Sequence, residues 1–275
     1  LAEVRPSSPS SPNPTMVNQA ALDMSVNLLI LAGTTEASQL AKQVSAAKIK
    51  AVLSYAGRVE RPKPQPLPRR IGGFGGVEGL KTYLRENSIT HVVDTTHPFA
   101  VQMSQHAVDA CVDLDLPLMA FSRPEWKPIA GDNWTEVEDI PAAVSALKGA
   151  KKRIMLALGR MHLEAFAKQP HHRYLLRLVD PPGKEPSLPN HDIVVSRGPF
   201  TKEGDLALMR DYNIELVVCK NAGGVASRAK LDAARTLSLP VIMIARPRLD
   251  RPRLETGSLS KVMQWLGHSG TDLGV

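Results

Sequence analysis

The chain of 275 residues holds two cysteines, Cys111 and Cys219. No CxxC or Cys/His cluster accompanies them, and both lie in apolar segments, which predicts buried thiols rather than a disulfide or metal ligands. His171-His172 has no partners at ligand spacing, so no metal site is expected. Aromatic residues are also scarce, at 4%. The cores must be built from Val, Leu, Ile, Ala and Met, and few rings remain to stack on bases. The basic residues form no run of five or six, which weighs against nucleic-acid binding. No apolar run approaches the roughly 20 residues that span a bilayer. No signal-peptide core precedes the first expected strand, so a cytoplasmic chain with no membrane partner is expected. A GxSxG nucleophile elbow is missing, as is a Walker lysine, so neither serine hydrolysis nor NTP hydrolysis is expected.

What is present points to a globular α/β protein. Hydrophobic residues make up 43%, and the length suits two domains. The formal charge of +7 favours an anionic cofactor or substrate. Residues 1–24 include the Pro/Ser stretch RPSSPSSPNPT and are expected to be a disordered tail. From Val26 onward, short apolar runs alternate with amphipathic stretches. Strands are predicted at Val26–Ala32, Ala51–Tyr55, His91–Asp94 and Leu116–Phe121, with helices at Glu36–Ala46, Val77–Glu86 and Ala100–Leu114. Residues Ser122–Asp139 break the rhythm and are expected to connect two domains. The pattern restarts with strands at Ile154–Leu158, Tyr174–Val179, Asp192–Ser196, Glu215–Cys219 and Pro240–Ala245. Helices are predicted at His162–Lys168, Lys202–Tyr212, Val225–Leu237 and Ser258–Leu266. Continuous apolar strands between helices imply parallel sheets covered on both faces. The architecture predicted is two doubly wound α/β domains in tandem: a dinucleotide-binding domain over 25–130, a second domain over 131–267, and a C-terminal tail over 268–275.

In such sheets ligands bind beyond the carboxyl ends of the strands. Unusual glycine and polar residues fall there. Gly33-Thr34-Thr35-Glu36 follows the first strand and opens a helix, where free N–H groups suit a phosphate. Only one glycine is present, and Thr35 as an ordinary N-cap is the competing reading. Ser54 and Arg58 follow the second strand, where dinucleotide domains read the ribose; serine and arginine favour a 2′-phosphate over a bare hydroxyl. Gly75 and Gly76 belong to a run of four glycines in five residues, either a close backbone approach or a hairpin. His97-Pro98 follows the third strand, with His97 a candidate proton donor or a turn residue. Lys220-Asn221, ahead of two glycines, is placed to meet a pyrophosphate or a carboxylate. Arg160 and Arg197 are candidate carboxylate forks, and Arg177, inside a strand, is expected to form an ion pair.

The segments LILAGTTEASQLA, RIGGFGGVEGLKTYLRENSITHVVDTTHPFAVQMSQHAVDAC, LALGRMHLEAF and VVCKNAGGVASRAKLDAARTLSLPVIMIARP resemble the precorrin-6A reductases of cobalamin biosynthesis. The likeness runs from about Val26 to Leu266, with DTTHPFA and KNAGG its most distinctive parts. It implies two Rossmann-like domains with the active site between them, and NADPH-dependent reduction of one double bond of a polycarboxylate tetrapyrrole to give precorrin-6B. It implies that Gly33, Thr34, Thr35 and Glu36 meet the dinucleotide, with Ser54 and Arg58 near its 2′-phosphate. Gly75, Gly76, His97 and Pro98 would line the cleft, and Lys220 and Asn221 would approach from the other domain. His97 and Lys220 are the candidate acids, bulk water being the alternative. Other enzymes of the pathway are candidate partners.

Overall fold

A computed structural model describes residues 26–56, 64–225 and 227–268. The expected tail at 1–24, Arg58, and residues 269–275 of the expected C-terminal tail lie outside the described residues. The first α/β unit contains β1 (Asn27–Leu31), β2 (Lys50–Tyr55), β3 (Arg69–Ile71), β4 (His91–Asp94) and β5 (Leu118–Phe121). Its helices are α1 (Thr35–Ala46), α2 (Gly76–Glu86) and α3 (Val101–Asp113). All five residues of β1 are buried, as a strand covered on both faces requires. On α1, Ala37, Leu40, Ala41 and Val44 are buried, a 3.6-period stripe that faces the sheet.

Next come β6 (Trp134–Val137) and a short α4 (Ile140–Ser145), then the strands of the second unit. These are β7 (Arg153–Ala157), β8 (Arg173–Leu178), β9 (His191–Val195), β10 (Leu216–Lys220) and β11 (Val241–Ile244), with α5 (Lys202–Asp211) and α6 (Ala229–Thr236). The helix expected at His162–Lys168 is instead two 3-10 turns, Arg160–His162 and Glu164–Lys168. The chain ends with β12 (Leu254–Thr256) and α7 (Leu259–His268).

All the strands pair in parallel, in two six-stranded sheets. One has the order β12-β5-β4-β1-β2-β3, the other β6-β11-β10-β7-β8-β9. The two orders are the same pattern repeated, so the halves share a topology that their sequences do not display. Each sheet reverses its strand order beside its first strand, between β1 and β4 and between β7 and β10, which is where doubly wound folds bind ligands.

The sixth strand of each sheet is exchanged. β6 follows the first five strands but pairs with β11, and β12 follows the second five but pairs with β5. This corrects two expectations. Residues 122–139 are not purely a connection, because β6 is the edge of the second sheet. The closing helix belongs to the first unit, not to a second domain running to 267: Val262 and Leu266 of α7 are buried with Leu40, Val44 and Phe121. Two crossings, 122–133 and 245–253, therefore join the halves.

Candidate active site

The loops at the two switch points face one another. They line a cavity of about 710 Å³ with Thr35, His97 and Phe99 from the first unit, Arg160 and Lys220 from the second, and Arg123 from the first crossing. A smaller cavity of about 170 Å³ lies at the ends of β1, β2 and β3, against Gly33, Ser54, Gly72, Gly73 and Thr96. His97 lines both.

At the end of β1, Gly33 has φ +148° and open space where a Cβ would stand. Thr34, not Thr35, caps α1: its Oγ1 accepts from the Ala37 N–H at 3.3 Å and donates to the Thr95 carbonyl at 2.7 Å. Thr35 is thereby left to line the larger cavity. Glu36 pairs with Arg123 at 3.3 Å, tying α1 to the first crossing.

Ser54 is buried, and its hydroxyl accepts from Arg70 at 2.7 Å. Arg70 also donates to the carbonyls of Gly72 and Gly73, both at 3.0 Å, and its guanidinium lies 3.9 Å from the Phe74 ring centroid. It makes no ion pair among the described residues, so its charge is not neutralised by a carboxylate there. The glycine run divides. Gly72 and Gly73 line the smaller cavity, whereas Gly75 and Gly76 do not line it and open α2 in the left-handed region, with φ +84° and +89°. A Cβ on Gly79 would sit 1.7 Å from the Phe74 carbonyl oxygen.

The loop after β4 is shaped by Asp94. One carboxylate oxygen accepts from the Thr96 N–H at 2.9 Å; the other accepts from Ser104 at 2.6 Å and from Arg253. Asp94 thus fixes the loop that carries His97. The Phe99 N–H donates to His97 Nδ1 at 3.2 Å, so the proton of the neutral ring is on Nε2. Burial, and then the charges of Arg123, Lys220, Arg246 and Lys230, push its pKa down to about 3. At neutral pH His97 can donate a hydrogen bond but holds no imidazolium proton to give. Pro98 lines another cavity, of about 910 Å³, beside the crossings, with Ser122, Arg246 and Arg248.

In the second unit, Lys220 ends β10 with its ammonium 4.8 Å from the Phe99 ring centroid, so it bridges toward the first unit. Asn221 does something else. It is buried, with Oδ1 accepting from the Trp126 N–H at 2.9 Å and Nδ2 donating to the Trp126 carbonyl at 3.0 Å. The side chain clamps the first crossing from its buried position. The two glycines behind it serve the same junction. A Cβ on Gly223 would lie 2.2 Å from the Pro124 carbonyl oxygen, and one on Gly224 would lie 2.5 Å from Arg123 Cδ. Arg246 ties both crossings, donating to the Asn221 carbonyl at 3.0 Å and the Arg123 carbonyl at 2.8 Å. Arg160 is exposed at the rim of the larger cavity. Arg197 pairs with Asp180 and is not among the residues lining the cavities. Arg177 forms the expected ion pair, with Asp205, and also lines the larger cavity.

Four residues escaped the sequence reading: Arg70, Arg123, Arg246 and Lys230. Arg70 stands two residues before the glycine run, in a strand too short to announce itself. Lys230 sits between Ala229 and Leu231 at a helix start, and nothing in that local pattern marks it as buried. Among the described residues, no group of three or more His, Cys, Asp or Glu could hold a metal ion, and no helix is long and apolar enough to cross a membrane. Cys111 and Cys219 are buried free thiols.

Comparison with known proteins agrees along the length of the fold. The precorrin-6A reductase of Rhodobacter capsulatus is 52% identical over 249 residues, which is 90% of this chain and 99% of that protein. A more distant relative, the cobalt-precorrin-6A reductase of Priestia megaterium, is 31% identical over 236 residues, covering 81% of this chain and 91% of its own. The solved structure of a CobK precorrin-6A reductase superposes with a TM-score of 0.85 at 52% identity, covering 91% of this chain and all of that one. The family model described as precorrin-6x reductase CbiJ/CobK matches residues 27–267, and the chain belongs to that family.

Proposed function

We propose that this chain reduces one ring double bond of precorrin-6A, with NADPH as the hydride donor. The observation that carries this reading is the cavity between the two switch points, which shares His97 and Ala100 as lining with the smaller cavity at the ends of β1, β2 and β3. The smaller cavity and its surroundings have the features a dinucleotide needs: open backbone at Gly33 just ahead of the α1 N-terminus, and Ser54 bonded to the Arg70 guanidinium, which has no carboxylate partner among the described residues. When bound, the nicotinamide cofactor supplies the hydride. The protein's own residues orient and enclose. Arg70 and Ser54 read the 2′-phosphate, a role expected from sequence for Ser54 and Arg58. His97 donates a hydrogen bond where the two cavities meet.

The 710 Å³ cavity between the two switch points takes the macrocycle. Arg123, Arg160, Arg177, Lys220 and Lys230 line it, a cationic set that matches a substrate bearing many carboxylates. Identity to the precorrin-6A reductase named above exceeds that to the cobalt-precorrin enzyme, which favours the metal-free macrocycle. A soluble cytoplasmic location and contact with neighbouring enzymes of the pathway follow from this reading. The test is anaerobic incubation of the protein with precorrin-6A and NADPH. A mass gain of two hydrogens with equimolar loss of NADPH is expected. An unchanged macrocycle, with cofactor bound, would refute the proposal.

A further inference from the structure

Reducing a double bond takes a proton as well as a hydride, and the charged groups around the larger cavity differ in their ability to give one. A guanidinium is a poor proton donor, which sets the arginines of the wall aside. His97 is neutral. The remaining nitrogen acids on that wall are His162, Lys220 and Lys230, and of these Lys230 is the buried one.

Lys230 is unusual. It is only 5% exposed, and the space it reaches is the cavity. Its ammonium donates to the Ser227 carbonyl and lies 4.7 Å from the Trp126 ring centroid. The charged and titratable groups facing it are Asp205 on α5, Arg177 on β8, Cys219 on β10, Arg123 on the first crossing and His97 on the loop after β4. Asp205 is the one carboxylate of that set, and it is already bonded to Arg177. Lys230 makes no ion pair among the described residues. A buried ammonium held by a neutral carbonyl and a ring, beside two guanidiniums, has little to keep it charged.

We propose that Lys230 is the acid of the reaction. This rests on the reductase reading above. The hydride from the reduced nicotinamide goes to one atom of the ring double bond with its electron pair. The Lys230 ammonium gives its proton to the other atom. Macrocycle and cofactor leave reduced and oxidised respectively, and the neutral amine regains a proton from water once the cavity opens to solvent. Burial is the main cause that lowers the Lys230 pKa, to about 8, a value suited to an acid working near neutrality.

Two measurements test this. In the ligand-free protein labelled with 13Cε-lysine, the resonance lost in Lys230→Arg should titrate with a midpoint near pH 8; a midpoint above 10 would overturn the proposal. In single turnover, Lys230→Arg should bind cofactor and macrocycle as the wild type does, yet reduce about 10²–10⁴-fold more slowly. The fall of the wild-type rate above pH 8 should vanish in Lys230→Arg. A variant of wild-type rate, or a limb that moves in Lys220→Met instead, would overturn the assignment. Wild-type protein that reduces nothing would defeat the reductase reading itself, a distinct result, and the lysine titration would still stand.

Discussion

Arg70 donates to the Ser54 hydroxyl at 2.7 Å and so joins the ends of β3 and β2 at the point where a dinucleotide fold reads the ribose. Its guanidinium has no carboxylate partner among the described residues and is backed by Phe74, and on the proposed reading it meets the 2′-phosphate. Arg70→Ala should weaken NADPH binding about 10–100-fold, the scale of a lost charged hydrogen bond, and leave NADH binding nearly unchanged. Fluorescence titration of both cofactors checks this. Equal losses would remove the 2′-phosphate role.

The exchanged sixth strands have a consequence for folding. A fragment of residues 25–130 lacks β12 and α7, leaving β5 as a bare edge and uncovering α1. Losing Val262 and Leu266 alone forfeits about 1.5–3 kcal/mol for each side chain. The fragment should show no cooperative unfolding by circular dichroism, and fusing residues 250–268 to it should restore a transition.

Gly223→Ala should destabilise the junction by about 1–3 kcal/mol, because φ is +69° and the new methyl meets the Pro124 carbonyl. Denaturant melts measure this. An unchanged midpoint would mean that the crossing gives way freely.

His97 is held near pKa 3 when folded, against 6.5 in the unfolded chain. Below 6.5 the unfolded chain binds a proton that the native ring refuses, so stability is complete above pH 6.5 and falls as the pH drops toward 3. Burial acts in the same direction on His91 and His172. For His97 the loss approaches about 1.4 kcal/mol per pH unit. Urea midpoints should fall between pH 7.5 and 5, and less steeply in His97→Gln.

Much of the fold was legible because VNLLILA and HVVD are runs that only a doubly covered strand needs. WTEV and LET were not. As short edge strands with exposed side chains, they carry no burial pattern, and the sheet each one joins is decided by tertiary pairing. The lining of the cavities was legible at the strand ends, as at Gly33, Ser54, His97 and Lys220. At Asn221 and the following glycines the sequence left the approaching group open, because a tight backbone approach looks the same in sequence whether that group is a phosphate or another loop; the structure shows the first crossing there. Buried charges such as Lys230 were hidden, because helical spacing does not say which polar residue faces inward.

The most direct test of the central claim uses NADPH deuterated on one face of nicotinamide C4. With precorrin-6A in ordinary water, one face of label should deliver a single deuterium to the macrocycle, and the opposite face none. In heavy water with unlabelled NADPH, one solvent-derived deuterium should appear at the other end of the reduced bond. Absence of cofactor deuterium from the product with either label would contradict direct hydride transfer across the cavity between the two sheets.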